Sequence, residues 1–361
     1  MTLVKFGDVI TINPKEKLPK GTSAPKVAME GIQPFTKYIS SYVFEEYVGG
    51  TKFRNGDTLL ARITPSLENG KTSIVSELPT DSVGFGSTEF LVFRATNQIL
   101  PDYLYYLTTT PNFRDMAIKS MTGTSGRQRV QTDVVSDYEF NLPSIEQQKS
   151  VVDKLVPLDA KIRSNNQIND NLLELASTLF EGSFPNVRGG ENTIGTFMSN
   201  FDKQRKPLSK NQRAQRQGEY RYIGATSVVD HVDDFTFDGI YLLLGEDGTV
   251  QTDDGKPVLQ YVWGPFWPNN HTHVLQGKGV STEWLYLFWK NQNITSIITG
   301  AVQPKISQGN MNSIKVTKPS DVELATFQQK IDPIFNMIRL NADEIENLKV
   351  IRNQLLKELL G

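Results

Sequence analysis

The sequence predicts an α+β, multidomain chain. It reads as two mixed α/β domains separated by an antiparallel two-helix coiled coil, with an internal pseudo-two-fold repeat. The first observation behind this is that the chain matches itself at a register of 176 residues: Pro143-Ser144 with Pro319-Ser320, Lys154 with Lys330, Pro157 with Pro333, and Asn171-Leu172 with Asn347-Leu348. The second is an apolar heptad in each matched segment, and the third is the strand-and-turn character of what precedes each one. A repeat of this kind decides architecture ahead of any local motif.

The first globular half begins with strand signals. Gly56-Asp57 is a turn leading into the apolar run Thr58-Leu59-Leu60-Ala61-Arg62-Ile63, and Thr72–Val75 and Glu89–Phe93 are further strand candidates. Asp102–Lys119 has helical spacing, with Leu104, Leu107 and Met116 on one side. A basic, amide-rich loop follows Thr122-Gly123, namely Thr124-Ser125-Gly126-Arg127-Gln128-Arg129-Val130.

The first arm opens at Ser144, followed three residues later by Gln147, a capping box in which side chain and backbone satisfy each other's orphan groups. One seam series is Val151, Leu158, Asn165, Leu172, Leu179, and its partner series is Leu155, Ile162, Asn169, Ala176. Steps of three and four place both on one face, the signature of a coiled coil. Pro157 inside this helix removes a hydrogen bond, so a kink or restart is expected there.

The second half repeats the order. Asp238–Gly245 parallels the first strand, His273-Val274-Leu275 parallels Phe90-Leu91-Val92, and Thr282–Asn291 parallels the helix. Thr299-Gly300 then precedes the loop Ala301-Val302-Gln303-Pro304-Lys305-Ile306. The second arm opens with Ser320 and Glu323, carries Pro333, and has seam residues Ile331, Ile334, Ile338, Asn341, Leu348 and Leu355. Asn165 and Asn341 occupy equivalent seam positions, where a buried polar residue fixes register at a cost in stability. If a two-fold axis relates the halves, the arms pair antiparallel with the globules at opposite ends. The stretch beyond each proline is about 25 residues, or ~37 Å, close to the ~34–36 Å of one turn of B-DNA. The arms are therefore expected to act as a ruler.

Composition narrows the function. The absence of cysteine excludes disulfides, thiolate metal sites and thiol nucleophiles. The N-terminus is not a secretory signal and no apolar run reaches the ~20 residues a bilayer needs, so a cytoplasmic location is expected, with no membrane partner. The net charge of -2 hides an uneven distribution. From Lys203 to Arg221 seven basic residues stand against one acid, Glu219, which is either a solvated loop or an electrostatic footprint for nucleic acid.

No catalytic constellation assembles. Asn69-Gly70-Lys71-Thr72 resembles the end of a phosphate-binding loop, but position 65 is Pro where that motif needs Gly, and a strand is expected to follow. Gly84-Phe85-Gly86 precedes a strand instead of following one, and no Asn-Pro-Pro-aromatic or Asp-Pro-Pro-aromatic tetrapeptide occurs. His271 and His273 would share a strand face and are expected to be surface or DNA-facing. No metal site is expected, although the acidic turns Glu246-Asp247-Gly248 and Asp253-Asp254-Gly255 leave a cation open.

The ordered set of motifs resembles the specificity subunit of type I restriction-modification systems across essentially the whole chain. The segments carrying the resemblance are Leu142–Lys149 with its helix through Phe180, Lys318-Pro319-Ser320 through Leu360, Leu60–Lys71 and Tyr241–Gly248. The mid-arm prolines depart from the commonest pattern. The resemblance implies target recognition domains at 1–143 and 183–319 and conserved helical arms at 144–182 and 320–361. It implies a non-catalytic subunit reading a bipartite double-stranded DNA target, with two modification subunits docked on the arms and restriction subunits beyond them. S-adenosylmethionine, ATP and Mg would then belong to the partner subunits, with no cofactor in this chain. The alternative is a coiled-coil scaffold presenting two protein-binding domains.

Base edges are read by donors and acceptors, and phosphates by cations and amides. The candidates in the first half are Arg62, Thr64, Asn69, Lys71, Ser125, Arg127, Gln128 and Arg129. In the second they are Lys203, Arg205, Lys206, Arg213, Arg216, Arg221, Asn269, Asn270, His271, Gln303 and Lys305.

Overall fold

The computed structural model describes every residue except Met1, Ser125 and Ala301. It divides into two compact units, Met1–Asn165 with Glu344–Gly361, and Asn166–Asp343. These differ from the segments read off the sequence, because each unit holds one globule and part of both arms.

In the first unit a four-stranded antiparallel sheet runs in the order Ile10–Ile12, Phe90–Ala95, Thr58–Ala61, Thr72–Ile74. Successive side chains alternate faces. Leu60, Leu91 and Phe93 therefore pack with Phe6, Leu104 and Phe113, while Leu59, Phe90 and Val92 pack with Val27 and Phe53. Burial on both faces is why these strands read as unbroken apolar runs. A second sheet is ordered Val43–Glu46, Ser23–Val27, Gly84–Gly86, Thr51–Phe53, with its middle pair parallel. A Cβ at Gly86 would fall 2.4 Å from the Val27 carbonyl oxygen. The glycines of Gly84-Phe85-Gly86 thus allow close strand packing. The helix expected over Asp102–Lys119 is two, Pro101–Thr109 and Pro111–Lys119. Pro111 interrupts the first, and Thr110 caps the second through the Phe113 N–H.

The second unit repeats this plan. Its antiparallel sheet is ordered Met198–Asn200, Thr272–Gly277, Tyr241–Gly245, Leu259–Val262. Beside it lies a sheet ordered Val228–Val232, Gln217–Ile223, Phe266–Pro268, again with one parallel pair. Helix Thr282–Lys290, capped by Ser281, buries Trp284 and Phe288 against Leu242, Leu244 and Leu275. Each globule is closed by a terminal ribbon, Thr2–Lys5 with Glu139–Leu142 and Arg188–Thr193 with Lys315–Val316. That ribbon delivers the chain to the start of an arm.

The arms are Ile145–Ser183 (39 residues) and Asp321–Leu360 (40 residues). Both capping boxes form, Ser144 with Gln147 and Ser320 with Glu323. Of the kink or restart expected at the prolines, the restart does not occur: each helix runs through Pro157 or Pro333 without a break. Each proline forfeits one hydrogen bond, and the carbonyl it leaves unmatched belongs to an exposed residue, Asp153 or Gln329, where water can replace it. At 1.5 Å per residue the two helices are about 58 and 60 Å long, of which ~37 Å is read beyond each proline.

Within each unit the arm segments run antiparallel. In the first, Asp159 meets Arg352 and Asn165 donates to Glu344 at 2.6 Å. In the second, Asn341 donates to Asn169 at 2.9 Å and Phe180 packs on Phe327. Leu155, Ile162, Asn165, Ile331, Ile334 and Asn341 are buried, and Leu158, Leu172, Leu179, Ile338, Leu348 and Leu355 are half-buried. Each buried Leu or Ile contributes about 1.5–3 kcal/mol.

A buried polar chain crosses the first unit. Lys37, 1% exposed, pairs with Asp102 at 2.6 Å. It also meets the Tyr106 hydroxyl, which donates to Asp159 at 2.6 Å, and Asp159 takes Arg352 at 2.8 Å.

Candidate nucleic-acid interface

The sequence-predicted residues of the first unit gather where three loops meet beyond one end of the antiparallel sheet. Backbone hydrogen bonds knit them: Arg62 N–H to the Glu89 carbonyl at 2.8 Å, Val130 N–H to that of Arg62 at 2.9 Å, and Thr64 N–H to that of Gln128 at 3.0 Å. Ile63 and Arg129 form a bridge. The second unit makes the same three bonds: Glu246 N–H to His271 at 2.8 Å, Ile306 N–H to Glu246 at 2.8 Å, and Gly248 N–H to Pro304 at 3.0 Å. Asp247 and Lys305 form the matching bridge. Arg62, Glu89 and Arg129 therefore stand where Glu246, His271 and Lys305 stand. One backbone junction, built twice, carries different charged side chains.

In the first junction Arg129 is exposed and held by Glu89 through three contacts of 2.6–3.0 Å. Hydrogen bonding from Arg129 outweighs the effect of burial and holds the Glu89 carboxyl below its ordinary range. Arg62 donates to the Val130 carbonyl at 3.1 Å. Its Nε and the Thr64 hydroxyl are buried without a partner among the described residues. Arg127 and Asn69 are exposed, and Gln128 is half-buried. Lys71 donates to the Met29 carbonyl at 2.9 Å. Ser125 lies outside the described residues.

In the second junction Lys305 and Arg205 flank Glu246, at 3.3 and 2.7 Å. Arg205 also reaches the Asn270 and Thr272 carbonyls, and His271 pairs with Asp247. Asn270 and Gln303 are exposed, while Asn269 accepts from the His271 N–H. Lys203 and Lys206 are exposed on the adjoining loop. The rest of the basic run lies in a separate cluster. Arg213 pairs with Asp230 and stacks on Tyr222, and Arg216 pairs with Asp233 and stacks on Trp267. Arg221 meets the Trp263 carbonyl and ring.

His273 is not the surface residue its sequence context suggested; it is 1% exposed and shares no face with exposed His271, which precedes the strand. Its Nδ1 meets Asp202 at 2.6 Å and its Nε2 meets the Ile306 carbonyl at 2.9 Å. Burial pushes the Asp202 carboxyl up, but His273, Gln308 and the Val274 N–H together hold it well below the usual range. Asp202, Glu246 and His273 offer ligand atoms within 4.8 Å of one another. Arg205, Lys305, Gln308 and Asn200 already occupy their acceptors, so a guanidinium and an ammonium supply the positive charge of that cluster.

The family model for the type I restriction modification DNA specificity domain matches residues 1–174 and 195–354, once over each half. The chain belongs to this family. Among curated type I specificity subunits, a putative one from Haemophilus influenzae is 30% identical over 116 residues, 32% of this chain and 29% of that one. The EcoAI specificity subunit of Escherichia coli is 32% identical over 130 residues, 34% of this chain and 22% of that one. The HindI subunit of H. influenzae is 33% identical over 135 residues, 36% of this chain and 28% of that one. The matches thus span less than a third of these relatives' lengths. The crystal structure of a type I restriction-modification S subunit from M. genitalium shares the fold, with a TM-score of 0.53 at 14% identity over 100% of this chain and 96% of that one. Among the described residues, no helix is long and apolar enough to cross a membrane.

Sequence reasoning missed Glu89 and Glu246 as members of the junctions. The sequence register, His273 against Phe90, sets Glu89 against Thr272, whereas strand pairing sets Phe90 against Thr272 and so Glu89 against His271, one residue along. The repeat as read therefore gives no pointer to Glu89. Nor is there a signal for Glu246, whose counterpart Arg62 differs in sign.

Proposed function

We propose that this specificity subunit reads a bipartite double-stranded DNA target in the cytoplasm, one half-site per three-loop junction, and docks two modification subunits on its arms. The observation that carries this reading is the junction itself. The same three backbone hydrogen bonds recur in both units, with Arg62, Glu89 and Arg129 exchanged for Glu246, His271 and Lys305. A common frame with different donors and acceptors is what two different half-sites require, since base edges are told apart by donor and acceptor pattern. The arms supply the remaining surface, with exposed Met337, Leu340, Val350 and Ile351 on the second. S-adenosylmethionine, ATP and Mg would act in the modification and restriction subunits.

An adenine-methylation map of the source strain, with and without this gene, tests the reading. The expected result is loss of one bipartite motif on deletion. An unchanged map in a strain with an active modification subunit would refute it in favour of a protein-binding scaffold. The scaffold would also lack the steep salt dependence of DNA binding.

A further inference from the structure

The most exposed charged contact of the first junction is a fork. Glu89 takes Nε and Nη2 of Arg129 at 2.6–3.0 Å and leaves Nη1 without a partner among the described residues. The Arg129 side chain keeps 44% of its surface exposed, and that of Glu89 keeps 22%. The Ile63–Arg129 bridge and the Thr122–Arg129 bridge hold the Arg129 backbone on both sides.

Two roles for an exposed arginine predict different neighbours. A phosphate clamp works by net charge, and a carboxylate beside it would cancel that charge and repel the backbone. A base reader works by geometry. An arginine meets guanine O6 and N7 with two parallel donors, and its planar fork is most selective when held in one orientation. A carboxylate on the Nε edge provides that hold and leaves the Nη1–Nη2 end able to donate twice. Glu89 has the wrong sign for the first role and the right geometry for the second.

We propose that Glu89 is the positioning residue of the first half-site, fixing Arg129 as a two-pronged donor that selects guanine at one position. This deepens the reading of the junctions as DNA-reading surfaces and rests on it. The second junction differs in kind. Glu246, which follows its strand as Arg62 follows the equivalent one, is shared between Lys305 and Arg205. Lysine is a point charge without a planar fork, and the Arg205 fork is turned inward, its Nε on the Asp202 carbonyl and its Nη1 on Glu246 and the Asn270 and Thr272 carbonyls, so the device belongs to the first half-site alone.

The test is selection from a randomised duplex library by the full chain assembled with its modification subunits, comparing wild type, Glu89→Gln, Arg129→Ala and the double variant. Wild type is expected to select a guanine that Arg129→Ala abandons. Glu89→Gln is expected to lose about 10-fold of that preference while retaining or raising total DNA affinity and leaving the second half-site unchanged. In the Arg129→Ala background, Glu89→Gln should change nothing further, as a residue acting only through Arg129 requires. A Glu89→Gln variant that weakens binding uniformly, with guanine preference intact, would overturn the proposal while the function stands. Wild type that selects no sequence at all overturns both. Glu89→Asp, which keeps the charge on a shorter stem, guards against misfolding: it should recover part of the preference, and failure to recover any, in a variant with a wild-type melt, also counts against the proposal.

Discussion

Asp159 and Arg352 show how much one buried pair decides. Each is under a tenth exposed, and each depends on the other for its charge partner. Removing one partner of a buried pair strands the other, so Arg352→Ala should cost about 3–5 kcal/mol by urea denaturation. Replacing both together, Asp159→Leu with Arg352→Met, should cost far less, and equal losses would show that packing and not charge is lost. Asp202 makes a pH-dependent case. Its folded carboxyl is held below the ordinary range, so it binds protons less readily folded than unfolded. The stabilisation is therefore present above the unfolded value of about 3.9 and lost as pH falls through and below it. Asp202→Asn should flatten the acid limb of the second unit's stability profile, followed by tryptophan fluorescence, because all four tryptophans (Trp263, Trp267, Trp284 and Trp289) lie in that unit.

Among the elements, the arms depart furthest from local propensity. A proline in a helix interior costs about 3 kcal/mol relative to alanine, yet both helices continue. Tertiary burial of residues such as Leu155, Ile162, Ile331 and Phe335 supplies more than the missing hydrogen bond removes. Pro157→Ala and Pro333→Ala should each raise the unfolding free energy from urea denaturation, by up to about 3 kcal/mol. A fall at either site would mean that the proline shapes a bend the packing needs. The heptads were legible because apolar spacing survives any change of neighbour. The helix break at Pro111 is equally local: a proline preceded by threonine ends one helix and opens the next.

For the whole molecule, the proposed function makes the arms a spacer between half-sites. Adding one heptad after Asn165 and another after Asp343 keeps the antiparallel seam in register. Seven residues add ~10.5 Å, so the gap in the methylated motif should lengthen by about 3 base pairs. A gap of unchanged length, with both half-sites still read, would remove the arms from that role.

Repeat, arms, caps and the main strands could be read from the sequence because each depends on residues near one another in the chain. Periodicity, a Ser with Gln or Glu three positions on, and turn residues act within a few bonds. The junctions could be located but not resolved. That Arg129 answers to Glu89, 40 residues away, and Arg205 to Glu246, 41 residues away, depends on strands bringing separate loops together. The burial of His273 and the diversion of Arg213 and Arg216 into ion pairs have the same origin. Charge and hydrogen-bonding capacity are written in each residue, but the partner that uses them is chosen by the fold, since only tertiary structure sets distance between groups remote in sequence.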